Sequence, residues 1–219
     1  MYIMVNKRNM DFWEEAMKKS PKSYRELFAA EKGYLKEHIS SASKVLEVGC
    51  GKGRSMEDIA NSTPYIYGID NDVVAVSGAR ELFGNCSSVS VLLADGKDIP
   101  FKDSFFDYVV SMTTPANFGD DKYEVYGEMR RVLKDDGEMI MSVFNEDAFS
   151  DRIKTYMALN VDIKEIRDNT TVVFNEELGS NVSEQFSRSE LEDIFDKSGF
   201  KSEEIVKAGV GYICRARKA

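Results

Sequence analysis

Three glycines at alternate positions, in residues 47–53 (EVGCGKG), are the strongest chemical signal in the chain. They follow the apolar run KVLEVG, which has the composition of a strand, and they precede a helix-like segment. Glycine is required where the backbone adopts positive φ or approaches a ligand without a Cβ in the way. Loops of this kind, at the carboxyl end of the first strand, form the ligand crevice of doubly wound sheets. The segment therefore predicts a ligand-binding loop.

Acidic residues end the next two predicted strands. Asp70 closes YIYGID, and Asp95 closes VSVLLAD. A carboxylate at such a position can accept charge-assisted hydrogen bonds from both hydroxyls of a ribose. Either aspartate alone is more typical of a solvated strand end or a helix cap, but three features at three successive strand ends favour a nucleoside ligand. The dinucleotide fingerprint G-x-G-x-x-G fails by one residue, because its third glycine would fall on Arg54.

Composition excludes several other classes of function. The 219 residues include 29 basic and 38 acidic side chains, and the net charge of −9 disfavours binding to a nucleic-acid backbone. Three cysteines without a CxxC pair favour a reduced cytoplasm. Because there is a single histidine, any histidine-rich zinc site or histidine-based triad must use His38 or be absent, and we expect no metal. No stretch approaches the ~18 apolar residues of a membrane span, and the N-terminus lacks a signal-peptide pattern. We expect a cytoplasmic, single-domain protein with neither nucleic acid nor membrane as its partner.

Short predicted strands alternate with helices from residue 44 onward. The predicted strands are 44–49, 65–70, 89–95, 105–112, 138–144, 201–208 and 211–216, and the helices are 54–61, 73–83, 123–133 and 189–198. A turn is predicted at residues 135–137. This alternation is typical of an α/β fold with a doubly wound, mostly parallel sheet of about seven strands.

The sequence resembles the class I S-adenosylmethionine-dependent methyltransferases that act on small molecules. The pattern E-x-G-x-G-x-G, followed by the two aspartates, matches their first three motifs, and FFDYVV (105–110) resembles the fourth. RRVLKDDGE (130–138) resembles the turn before their fifth strand. The resemblance covers residues 40–144 well and 187–219 loosely. It implies a Rossmann-like methyltransferase fold, S-adenosylmethionine as cofactor and S-adenosylhomocysteine as product.

The same resemblance implies a set of cofactor-binding residues. They are Glu47, Gly49, Cys50, Gly51, Gly53, Asp70, Asn71, Asp95, Gly96, Ser111 and Met112. In this family the glycine loop passes under the methionine part of the cofactor, and the acid at Glu47 supports the loop or the ligand's amino group. Asp70 would hold the ribose, Asp95 with Gly96 would read the adenine, and the end of the fourth strand would line the sulfonium.

Asn71 departs from the family pattern. The residue after the ribose-binding acid is usually apolar and packs on the adenine. Either Asn71 adds a hydrogen bond to the base, or another side chain such as Ile99 covers that face.

The methyl acceptor is expected in the parts of the chain that the family does not share. Residues 1–40 have a helical pattern, broken at Ser20–Pro21, and are predicted to form an N-terminal helical cap. Residues 145–187 are predicted as an insertion that covers the acceptor site, with a helix at 147–159 and a hairpin of strands 171–176 and 182–187. Aromatic candidates for the pocket include Tyr2, Trp13, Tyr24, Phe144 and Tyr156.

The function implied is methyl transfer to O, N or S of a small molecule by in-line displacement. Asn117 and Asp120 are the candidates for a polar group near the methyl, although Asp120–Asp121 is also typical of a helix cap. Alternatives from the same fold are a protein or tRNA methyltransferase and a non-catalytic binding protein. A homodimer and the need for a general base are left open.

Overall fold

The computed structural model describes residues 21–84, 86–175 and 182–219. The first predicted helix of the N-terminal cap, with Tyr2 and Trp13, lies outside the described residues, as does the predicted hairpin loop 177–181. Among the described residues, no helix combines the length and apolar character needed to cross a membrane.

Helices and strands alternate along the chain. The helices are α1 (Lys22–His38), α2 (Arg54–Ile59), α3 (Val73–Phe83), α4 (Lys122–Val132), α5 (Phe149–Ala158) and α6 (Arg188–Lys197). The strands are β1 (Lys44–Val48), β2 (Tyr65–Asp70), β3 (Val89–Leu93), β4 (Phe106–Met112), β5 (Leu133–Asn145), β6 (Ile163–Arg167), β7 (Thr171–Phe174), β8 (Val182–Ser183), β9 (Gln185–Phe186), β10 (Phe200–Ala208) and β11 (Gly211–Lys218). Two 3₁₀ turns, Thr114–Asn117 and Gly119–Asp121, connect β4 to α4.

The main sheet has the strand order β10-β11-β5-β4-β1-β2-β3. Strands β1 to β5 run parallel to one another, and β11 pairs antiparallel with both β5 and β10. This confirms the prediction of a doubly wound, mostly parallel sheet of about seven strands. The carboxyl ends of β1, β2, β3, β4 and β5 therefore meet along one edge.

Apolar residues fill both faces of the sheet because successive strand residues point in opposite directions. Leu46 on β1 and Val109 on β4 belong to the core beneath α4 and α6. Their chain neighbours Val45 and Val110 belong to the core beneath α1, α2 and α3. These strands are therefore continuous apolar runs because their residues pack alternately against two layers of helices, one on each face of the sheet.

The fifth strand starts earlier than predicted. It begins at Leu133 rather than Glu138, so the predicted turn at 135–137 lies within β5. The pairing moves from Phe106–Leu133 to Tyr108–Glu138, which leaves residues 134–137 opposite Asp107 alone. The turn-forming residues therefore make a bulge in a continuous strand.

The predicted insertion differs from expectation at two points. Strand β6 was not predicted, because its sequence IKEIR is largely charged and exposed and carries little alternation. The predicted second hairpin strand is split: β8 pairs antiparallel with β7, whereas β9 pairs parallel with β5 of the main sheet. The end of segment 145–187 is thus part of the main sheet.

Arg152 connects helix α5 to strands β8 and β9 of the same segment. Its side chain is fully buried and donates hydrogen bonds to the Thr170 carbonyl at 3.0 Å and to Oε1 of Gln185 at 2.8 Å. It also donates to the carbonyl and the hydroxyl of Ser183. One side chain therefore holds the helix against both β8 and β9.

Candidate functional site

The glycine loop between β1 and α2 has three residues with positive φ. The φ angles are +74° at Gly49, +54° at Gly51 and +91° at Gly53. A Cβ on Gly49 would lie 2.1 Å from Cγ2 of Thr114, and one on Gly53 would lie 2.7 Å from the Phe83 ring. At Gly51, no described atom lies within 4 Å of that position. The outer glycines thus pack against the protein, whereas the backbone of Gly51 borders open space that a ligand can enter.

Asp70 holds the middle of this loop from the end of β2. Its Oδ2 accepts the Gly51 backbone N–H at 2.8 Å, and its Oδ1 accepts the Asp72 N–H at 2.9 Å. Burial raises the pKa of Asp70, and these backbone donors oppose the rise. A carboxylate offers about four acceptor positions, so Asp70 can also receive ligand hydroxyls.

Glu47 lies beneath the loop, with only 1% of its surface exposed. Its Oε1 accepts the Ser55 hydroxyl at 2.5 Å, and its Oε2 has no hydrogen-bond partner in the described part of the chain. Burial raises the pKa of the Glu47 carboxyl to about 8, with a smaller contribution from the Glu31 charge. At neutral pH this carboxyl is therefore protonated. Its contact with Ser55, on α2, favours support of the loop over contact with a ligand's amino group.

The third strand end is open to solvent. Asp95 is exposed, and its Oδ1 accepts the backbone N–H of Lys97 at 2.9 Å. Asn71 is also exposed. Gly96 packs closely, since a Cβ there would lie 3.2 Å from Val125.

The suggestion that Ile99 covers a bound base is wrong. Ile99 is 2% exposed and belongs to the core beneath α4, where its N–H donates to Glu128. The structure offers Leu93 instead, which is 53% exposed and pairs in register with Asp70.

At the end of β4, the two predicted residues are turned inward. Ser111 is fully buried and donates its hydroxyl to the Val48 carbonyl at 2.8 Å, and Met112 is 3% exposed within the core. Of the next two residues, Thr114 contacts the glycine loop. Thr113 has φ +59°, and Thr114 donates its hydroxyl to the Gly49 carbonyl at 2.9 Å.

The 3₁₀ turns after β4 carry the two candidate acceptor residues. Asn117 is half-buried at the end of the first turn, and Asp120 is exposed on the second. The hydrogen bond to Glu165 is the main cause of the raised pKa of Arg167 on β6, and the Asp120 charge adds the smallest contribution. The predicted helix cap is wrong in its chemistry, because Asp121 makes no side-chain cap and instead accepts Lys97 Nζ at 2.8 Å.

The insertion contacts the same loop directly. The Glu184 N–H donates to the Ala116 carbonyl at 2.7 Å, and its carboxylate lies 3.0 Å from Lys122 Nζ. A Cβ on Gly119 would lie 2.9 Å from Val182. The segment that ends in β8 and β9 therefore packs against the loop that follows β4.

A model of the methyltransferase domain family matches residues 39–199. Among curated relatives, the malonyl-[acyl-carrier protein] O-methyltransferase of Geobacter sulfurreducens is 27% identical over 165 residues, which are 74% of this chain and 57% of that protein. The chain spans 64%, 55% and 57% of the length of three such relatives.

Solved structures show the same fold. A Pyrococcus horikoshii protein superposes with a TM-score of 0.74 at 22% identity, covering 97% of this chain and 99% of that one. A chain from the complex that contains the Trm112 methyltransferase activator of Haloferax volcanii gives 0.70 at 15% identity, with 98% and 97% covered.

The fold and the glycine loop with its two acids define a Rossmann-like methyltransferase domain. The chain belongs to the methyltransferase domain family, as the sequence predicted. S-adenosylmethionine is the cofactor that membership of this family implies.

Proposed function

We propose that the protein transfers the methyl group of S-adenosylmethionine to a small-molecule acceptor. The observation that carries the proposal is the convergence of the open backbone at Gly51 with Asp70 and Asp95, at the carboxyl ends of three adjacent parallel strands. In open α/β sheets ligands bind outside this edge. Family membership adds the identity of the cofactor.

The residues present fit this cofactor. The Gly51 backbone leaves the space that a Cβ would fill, and Asp70 has acceptor capacity left for the ribose hydroxyls. The exposed Leu93 offers an apolar surface for the adenine next to Asp95. When bound, the cofactor supplies a methyl group already activated by its positive sulfur. The protein has to align the acceptor and exclude water.

The acceptor would lie above β4 and β5, between the loop 113–121 and the insertion. Two observations support a covered site there: the contact of Glu184 with Ala116 and the contact of Lys122 with Glu184. Asn117 and Asp120 are proposed to orient the acceptor. A net charge of −9 and a covered site favour a small molecule over nucleic acid.

A macromolecular acceptor is the second candidate. The Geobacter relative is named for a substrate carried on a protein, and the Haloferax neighbour belongs to a complex with an activator protein. Homodimer formation and a cytoplasmic location stay predictions.

The test is a transfer assay with a cofactor labelled in its methyl group, offered to metabolite, tRNA and protein fractions in parallel. We expect label in the metabolite fraction, and mass spectrometry then identifies the product. Label confined to tRNA or protein would contradict the small-molecule assignment. Cofactor binding without transfer to any fraction would favour the non-catalytic alternative.

A further inference from the structure

A buried carboxylate on α1 links the glycine loop to the end of β4. The Glu31 side chain is 1% exposed and its Oε2 lies 2.8 Å from Nη2 of Arg54, the first residue after the loop. Its Oε1 accepts the Ser142 hydroxyl at 2.6 Å, and the Ser142 Oγ accepts the Thr113 N–H at 2.8 Å. Glu31 belongs to none of the motifs and could not be selected from the sequence.

These contacts locate Arg54 relative to the proposed cofactor. Asp70 and Asp95, which would hold the nucleoside, lie on the β2 and β3 side of β1. Arg54 is joined through Glu31 to Ser142 on β5 and Thr113 at the end of β4, on the other side of β1. An S-adenosylmethionine molecule with its nucleoside over β2 and β3 and its methionine part over the glycine loop after β1 would extend its amino-acid end toward β4 and β5.

The chemistry of Arg54 fits a carboxylate. Its guanidinium packs 4.6 Å from the centre of the Phe28 ring, and 28% of the side chain is exposed. A guanidinium has five N–H donors, so the Glu31 contact through Nη2 leaves capacity for a second carboxylate. The neighbouring Glu47 is neutral at pH 7, because burial raises its pKa to about 8. It therefore adds no competing negative charge.

We propose that Arg54 binds the carboxylate of the cofactor's methionine part and that Glu31 positions the Arg54 guanidinium for this contact. The inference rests on the proposed cofactor. Arg54 is then a binding residue, and Glu31 acts through it without touching the ligand.

Two ligands separate this contact from nucleoside binding. S-adenosylhomocysteine carries the amino-acid part, whereas methylthioadenosine has the same nucleoside and sulfur but lacks the carboxylate. Calorimetric titration of the full chain with each ligand gives the preference for the amino-acid part, and the Arg54 variant then isolates the contribution of the carboxylate contact. In the Arg54→Met variant we expect binding of S-adenosylhomocysteine to weaken by about 10- to 100-fold, as for loss of charged hydrogen bonds. Binding of methylthioadenosine should stay the same.

Control variants separate the contact from damage to the fold. Lys32→Met removes an exposed cation of the same α1–α2 interface, where Lys32 pairs with Asp58 at 2.7 Å, and should change neither affinity. The double variant Glu31→Gln/Arg54→Met leaves no unpaired buried charge and should still lose the preference. Glu31→Gln alone should weaken S-adenosylhomocysteine selectively, to a smaller extent.

Three results would overturn the proposal. Retention of the preference in Arg54→Met would show that another group binds the carboxylate. Equal loss of both ligands in the double variant would show a structural role only. Failure of the wild type to bind either ligand would refute the proposed cofactor itself, which is a distinct outcome.

Discussion

Glu47 is a buried acid that supports the glycine loop in its neutral form. Its carboxyl is enclosed beneath the glycines, and its Oε1 accepts one hydroxyl, that of Ser55. An ionised carboxylate in this place would lack the solvation that water gives it. The raised pKa therefore makes the folded state bind a proton that the unfolded chain releases at neutral pH.

This proton gives a pH-dependent stability that can be measured. For an acid whose folded pKa is raised, stability is fully present below the ordinary value of 4.5 and is lost as the pH rises toward about 8. Each unit of pKa difference corresponds to about 1.4 kcal/mol. Glu47→Gln, which mimics the neutral form, should gain thermal stability relative to the wild type between about pH 5 and pH 8.

Glu57→Gln changes an exposed acid on α2, the helix that carries Ser55, and is the control that should behave like the wild type throughout. Melting temperatures of Glu47→Gln and wild type that differ by the same amount at both pH values would contradict the assignment.

At the level of elements, two glycines of the loop between β1 and α2 have different surroundings: Gly51, in the middle of the loop, and Gly53, at its end. Gly51→Ala places a methyl in open space and Gly53→Ala forces one against Phe83. Both carry the strain of positive φ, about 1–2 kcal/mol. We expect Gly51→Ala to lose cofactor affinity with a small change in melting temperature.

Gly53→Ala should lose more stability than Gly51→Ala, because Phe83 has to move. Calorimetric binding and thermal unfolding of the two variants check the pair. Unimpaired cofactor binding by Gly51→Ala would show that the ligand does not approach this backbone.

The insertion depends on Arg152. Arg152→Met would leave Oε1 of Gln185 without its donor and would remove one of two donors to the Thr170 carbonyl and to the Ser183 hydroxyl. Burying an unsatisfied polar group costs about 1–3 kcal/mol. We expect faster proteolysis within residues 145–187 and a lower melting temperature. Arg188→Met is the comparison, since Arg188 is mostly exposed and pairs with Glu192 on α6. Equal protease resistance of Arg152→Met and the wild type would contradict this role.

Some strands could be predicted from the sequence and others could not, for physical reasons. Strands β1 and β4 are nearly continuous apolar runs, because both of their faces are buried, and this pattern was readable. Strand β6 is charged and exposed, so nothing in its composition distinguished it from a loop. Glu31 could not be selected, because its contacts join residues that lie far apart in the chain.

For the whole molecule, the parallel sheet brings distant residues to one edge. Gly51, Asp70 and Asp95 could be selected from sequence because strand order in a doubly wound fold places successive strand ends side by side. The residues around the proposed acceptor could not be selected from the sequence, because their positions depend on how α1 and the insertion pack over β4 and β5. That packing includes β9, which joins the main sheet beside Phe144.

The most direct test asks whether the crevice beside the glycine loop and Asp70 binds the S-adenosylmethionine nucleoside. The wild type and Asp70→Ala are titrated in parallel with S-adenosylhomocysteine, and a nicotinamide dinucleotide is added as competitor. We expect one S-adenosylhomocysteine bound per chain, no displacement of it by the dinucleotide, and a large loss of affinity for it in Asp70→Ala. An unaltered affinity in Asp70→Ala, or preferential binding of the dinucleotide, would contradict it.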